Sequence, residues 1–88
     1  MNNAHFHRIT KALADPRRYE LLQRIASCKE VACNDIRSEF PISAATLSHH
    51  VKELANVGLI DIRKDAKYIY LKLRRGLWRQ YLTHLGRL

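Results

Sequence analysis

The 88-residue chain is short of the residues that interrupt helices and of those that staple small domains. It has three glycines, two prolines and two cysteines. So few breakers favour helices joined by short turns, and two thiols cannot make a secreted disulfide scaffold. No apolar run approaches the roughly 18–20 residues that span a bilayer. The opening Met1-Asn2-Asn3-Ala4-His5 lacks the charged-then-apolar layout of a secretory leader. The expected setting is therefore the cytoplasm, with free thiols and no membrane. Acids are scarce too: eight Asp and Glu stand against sixteen Lys and Arg, and Ala66 to Leu88 contains six basic residues and no acid.

What is present belongs to a small globular domain. Hydrophobic residues make up 47% and charged residues 27%, enough for a core and too apolar for a disordered chain. One domain over residues 1–88 is expected. At 10.3 kDa, surface scaling gives about 5,400 Å² exposed when folded and about 64% of the chain's surface buried. Such a core is thin, and a second copy would help to cover it. The net charge of +8 and pI of 10.0 point to a polyanion. Nucleic acid is the first candidate and an anionic surface the second; a merely solvated basic face is the plain reading.

The periodicity changes along the chain. Phe6, Ile9 and Leu13 form one helical stripe, which stops at Asp15-Pro16, an N-cap followed by a proline suited to the first helical position. Tyr19, Leu21, Leu22 and Ile25 mark a second helix ending near Ser27-Cys28. A short apolar segment with Val31, Ile36 and Phe40 closes at Pro41. Ser43 then caps a helix with Leu47, Val51 and Leu54 inward, and Gly58 supplies its stop. Beyond it the period becomes two: Ile60 and Ile62, then Ile69, Leu71 and Leu73, flank Lys64-Asp65-Ala66-Lys67 as a β-hairpin. A last helix starts at Gly76. A mainly α winged helix-turn-helix is predicted: helix-turn-helix about 31–57, wing about 59–73, and a C-terminal dimerisation helix about 76–87.

On the helix after Ser43, the side opposite the core stripe carries Ala45, Thr46, Ser48, His49 and Lys52. An α-helix fits the major groove. Ala45 suits a thymine methyl, Thr46 and Ser48 can donate or accept, and His49 can reach a guanine edge or a phosphate. Lys52 suits a phosphate, and Ser43 adds one through its backbone N–H. His50, beside the stripe, reads as packing. Arg63, Lys64 and Lys67 near the hairpin tip suit flanking phosphates, or else protect a strand edge. Tyr68 and Tyr70 share a face that lines the core or, less commonly, stacks on bases.

Phe6, Ile9 and Leu13 with Leu77, Trp78, Tyr81, Leu82 and Leu85 are more apolar surface than so thin a domain can cover, and they are the expected dimerisation set. Two copies related by a two-fold axis would place two recognition helices about 34 Å apart on an inverted repeat. No catalytic constellation stands out, so an enzyme is not expected.

Three motifs in order resemble the ArsR family of bacterial winged-helix repressors. They are Ala12-Leu13-Ala14-Asp15-Pro16-Arg17-Arg18 with Tyr19-Glu20-Leu21-Leu22, then Ile42 to Leu54, then Gly58-Leu59-Ile60 with Tyr68-Ile69-Tyr70-Leu71. The resemblance covers about Ile9 to Arg75. It implies a homodimeric repressor that leaves its operator when an effector binds, with Ala45, Thr46, Ser48 and His49 as groove contacts. Metal-sensing members carry Cys-Val-Cys near the helix-turn-helix; here Ala32 and Asn34 hold the two cysteine positions and Cys33 lies between them. No metal and no cofactor is therefore expected, and the effector is unidentified. Cys28 and Cys33 are either a redox pair or inert half-buried thiols. The alternative reading is a winged-helix module that binds another protein and meets DNA only non-specifically.

Overall fold

Three of the five helices open where a side chain replaces a missing backbone partner. In the computed structural model, which describes residues 1–88, Asn2 accepts a hydrogen bond from His5 N at 2.8 Å and opens α1 (Asn3–Leu13). Asp15 accepts from Arg18 N at 3.0 Å, and Pro16 takes the first position of α2 (Pro16–Ala26). That backbone N–H holds the Asp15 carboxyl below the usual carboxylate range. A two-residue strand, β1 (Val31–Ala32), runs directly into α3 (Cys33–Glu39). Ser43 accepts from Thr46 N at 3.1 Å to open α4 (Ala44–Asn56). The helix stops at Gly58, with φ +86, where Leu59 N reaches back to Leu54 O at 3.0 Å.

The hairpin consists of β2 (Ile60–Asp65) and β3 (Tyr68–Leu73), with Ile60 opposite Leu73, Ile62 opposite Leu71 and Lys64 opposite Ile69. The tip is narrower than the four-residue turn expected: only Ala66 and Lys67 lie outside the strands, and Ala66 has φ 53. β1 pairs antiparallel with the other edge of β3, through Val31–Leu71 and Ala32–Tyr70, giving the order β1-β3-β2. This strand is not foreseen by the sequence, where Val31 is read as part of the short apolar segment that opens the helix-turn-helix. The last helix, α5 (Arg75–Leu85), begins one residue earlier than expected.

Ile9, Leu21, Ile25, Ile36, Leu54, Leu59 and Leu71 are fully buried, so α1 to α4 and the sheet share one core. The folded chain exposes 5748 Å², above the about 5,400 Å² expected for its mass, and measures 41 × 23 × 19 Å. Part of the excess comes from the hairpin. Ile62 is 48% and Ile69 40% exposed although both alternate in step with buried neighbours, because the outer half of the hairpin projects beyond the body. The tyrosines also depart from the core reading: Tyr68 is exposed and Tyr70 half-buried, on the face that carries Arg63 rather than Leu71.

Candidate nucleic-acid interface

At about 100° per residue, α4 turns Leu47, His50 and Leu54 into the body and Ala45, His49 and Lys52 away from it. Ser48 and Thr46 take the two flanks. All five of Ala45, Thr46, Ser48, His49 and Lys52 are exposed, and His50 is buried as the sequence suggests. Ser43 Oγ donates to Thr46 Oγ1 at 2.9 Å while accepting from Thr46 N. Thr46 is thereby held in place as an acceptor, and its own hydroxyl hydrogen is left to donate outward.

His50 anchors the helix from behind. Arg18 Nε donates to His50 Nδ1 at 3.2 Å, and the same guanidinium donates through Nη1 to Ala12 O at 3.1 Å. One α2 side chain thus braces the end of α1 and the middle of α4. Burial pushes the His50 pKa below its ordinary value, assisted by the Arg18, His49 and Arg17 charges and opposed by Asp15. The neutral ring is the form that can accept from Arg18.

The wing flanks α4. Ile62 and Ile69 face Ser48, Val51, Lys52 and Ala55 across a groove of about 250 Å³. The three basic wing residues are not equivalent. Arg63 lies on the opposite face, where it clasps Glu30 through Nη2–Oε1 at 2.7 Å and Nε–Oε2 at 3.2 Å, with its guanidinium 4.4 Å from the Tyr70 ring centre. That clasp holds the Glu30 carboxyl below the usual range. Lys64 and Lys67 are exposed and neither forms an ion pair.

A second surface lies between α1 and α5. Phe6 stacks on Tyr81 at 5.1 Å and on His84 at 4.4 Å, and Thr10 Oγ1 meets Tyr81 OH at 2.8 Å. Ile9, at 0% exposure, and Tyr81, at 6%, are enclosed by the chain's own core. This corrects their expected place at a dimer surface: an amphipathic stripe shows that a residue is covered, not by what. Phe6, Leu13, Leu77 and Trp78 are half-buried against the same core. Leu82 and Leu85 remain open at 46% and 43%, and Leu85 borders a hollow of about 620 Å³ that Phe6, His7, Thr10 and His84 also line.

The thiols occupy separate surroundings. Cys28 lies near Arg24, Ile25 and Glu30, whereas Cys33 lies in the cleft between α3, α4 and the wing. Burial pushes the Cys33 thiol up, which lowers its thiolate fraction and its reactivity.

A helix-turn-helix domain family matches residues 13–63, more than half of the chain. The uncharacterized HTH-type transcriptional regulator YceK of Bacillus subtilis (strain 168) is 35% identical over 75 residues, covering 84% of this chain and 75% of that protein. The arsenical resistance operon repressor of Staphylococcus aureus is 33% identical over 78 residues, covering 89% and 74%. The chain belongs to the ArsR family of winged-helix transcriptional regulators. It spans 60% of the length of the arsenical resistance operon repressor of Staphylococcus xylosus, to which it is 41% identical over 63 residues covering 70% of this chain.

Solved structures agree on the architecture. An ArsR-like transcriptional regulator from Rhodococcus sp. RHA1 superposes with a TM-score of 0.84 at 20% identity, covering 96% of this chain and 78% of that one. The homodimeric winged helix-turn-helix domain of Mb0332 from Mycobacterium bovis gives 0.78 at 24% identity, covering 94% and 77%. Within this ArsR-family chain, no group of three or more His, Cys, Asp or Glu side chains converges as metal ligands do. The surroundings of Cys33 supply Asn34, Arg37 and Lys67, an amide and two cations, so the residues here do not fit a thiolate metal site.

Proposed function

We propose that this ArsR-family regulator is a dimeric repressor that reads an inverted repeat in double-stranded DNA and leaves it when an effector binds. The observation that carries the reading is the free face of α4. Ala45, Thr46, Ser48 and His49 stand exposed on a helix capped at Ser43 and flanked by a basic hairpin, with no other element over them. Small side chains at the start of the helix let its backbone approach the groove floor. Thr46 and Ser48 then meet base edges, Ala45 a thymine methyl and His49 a guanine edge. Lys52, the Ser43 backbone, Lys64 and Lys67 meet phosphates. Arg63, already clasped by Glu30, is assigned to holding the wing rather than to DNA.

The second copy docks through Phe6, Leu82 and Leu85, with Leu13, Leu77 and Trp78 at the margin. Support comes from the exposed leucines and the open hollow beside Leu85, and from the homodimeric state of the Mycobacterium bovis domain. The protein acts by binding, in the cytoplasm, and not as an enzyme.

Selection of duplexes from a random pool at about 0.15 M salt, near physiological ionic strength, tests this directly. An imperfect inverted repeat with half-sites about one helical turn apart is the expected product. A pool that stays unenriched would transfer the basic charge to non-specific contact and favour a protein-binding module.

A further inference from the structure

α3, α4 and the wing tip meet around a second cleft, which adjoins the groove between α4 and Ile62 and shares Cys33, Ser48 and Ile69 with it. It measures about 170 Å³ and is lined by Cys33, Asn34, Arg37, Ala44, Ser48 and Lys67, among others. Two cations from elements far apart in sequence, Arg37 of α3 and Lys67 of the hairpin turn, border the same space. No carboxylate lines it, and neither cation forms an ion pair. Both are exposed. Only Arg17, Arg24, Arg63 and Arg74 of the sixteen Lys and Arg pair with an acid, so what marks Arg37 and Lys67 is that both border one cleft without a carboxylate. Lys67 also lies 5.6 Å from the Tyr68 ring centre. Asn34 adds an amide donor. Ala44 and Ser48 form the wall shared with the groove-reading face of α4.

We infer that this cleft seats one backbone phosphate of the operator strand, held between Arg37 and Lys67 with Asn34 as a hydrogen-bond donor. The inference rests on the DNA-binding reading and extends it to two residues, Asn34 and Arg37, that the sequence alone does not single out. The occupant follows from charge and continuity. The cleft is cationic and opens beside the helix face that meets base edges, and the first helix of a helix-turn-helix crosses the DNA backbone. A phosphate there is gripped from both sides of α4's edge. It fixes the depth and register of the recognition helix without itself reading sequence.

The two-sided grip distinguishes this arrangement from two unrelated surface cations. With the selected operator, each of Arg37→Gln and Lys67→Gln should weaken binding about fivefold at about 0.15 M salt. Because one phosphate is shared, the double variant should lower the steepness of log K against log salt by about 0.9 and each single variant by less. Base preference should stay unchanged. Neutral methylphosphonate should then be placed at each backbone position of one half-site in turn. At a single position the neutral link should weaken the wild type, while neither Arg37→Gln nor Lys67→Gln loses the full further factor there. Specific binding in which the two variants map to different phosphates, or to none, overturns the inference and leaves the DNA-binding reading standing. Failure to select any operator overturns both.

Discussion

Arg18 Nε donates to His50 Nδ1 at 3.2 Å, joining the second helix to the buried side of the recognition helix. The bond needs a neutral imidazole, and burial already pushes the His50 pKa below 6.5. The folded chain therefore resists the proton, while the unfolded chain takes it near pH 6.5. Stability from this contact is complete above that pH and falls as the pH drops below it, by at most about 1.4 kcal/mol per pH unit. Thermal melts from about pH 5 to about pH 8 should show a steeper acid loss in the wild type than in His50→Gln, whose amide oxygen can still accept from Arg18. Parallel curves would remove His50 from the acid response.

Base reading and phosphate holding separate by mutation. Ser48→Ala should relax preference at one operator position by about 1–3 kcal/mol. Lys64→Ala should weaken all duplexes alike and lower the salt slope by about 0.9. Competition binding with single-base operator variants checks both, and a uniform loss for Ser48→Ala would place that hydroxyl on the backbone.

Leu85→Glu should turn the protein into a monomer. A leucine buried at an interface contributes about 1.5–3 kcal/mol and enters twice across a two-fold axis, so self-association should weaken by about 100-fold or more. Sedimentation velocity reads the change. An unaltered sedimentation coefficient would move the dimer surface away from α5.

Two substitutions at positive φ should act in opposite directions. At Gly58, with φ +86, an added Cβ would lie 3.1 Å from Leu77 Cδ2, so Gly58→Ala should destabilise by about 1–2 kcal/mol. At Ala66, with φ 53 in a two-residue hairpin turn, Ala66→Gly removes a left-handed penalty of about 1–2 kcal/mol, which exceeds the about 0.5–1 kcal/mol of extra chain freedom that glycine loses on folding. The net gain should be under about 1 kcal/mol. Urea midpoints measure both.

The parts legible in the sequence are those encoded locally. Asp15-Pro16, Ser43 and Gly58 mark helix ends through chemistry confined to a few residues, and each works as read. The face of α4 follows from Leu47, Val51 and Leu54 by helical period alone. What escaped the sequence depends on residues distant along the chain. β1 is two residues long, too short to show a period, and exists because Val31 and Ala32 find β3. Arg63 looks like a free wing cation until Glu30 is seen beside it. The same holds for Ile9 and Tyr81, whose covering surface only the packing of α1 on α5 and the core reveals, and for Arg37, whose meaning comes from Lys67 across the cleft.

The Glu30–Arg63 clasp spans 33 residues of sequence and lies beside the β1–β3 pairing. It fastens the hairpin to the body, with Tyr70 behind the guanidinium. A loose arm must be ordered when it binds, and that ordering opposes association. A fastened one keeps its angle to α4 before and after contact. In the proposed dimer the clasp then narrows the range of separations that the two wing tips can take up on a duplex. One base pair inserted between half-sites shifts them by about 3.4 Å and rotates them by roughly 35°, and a repressor built this way should bind such an operator more weakly.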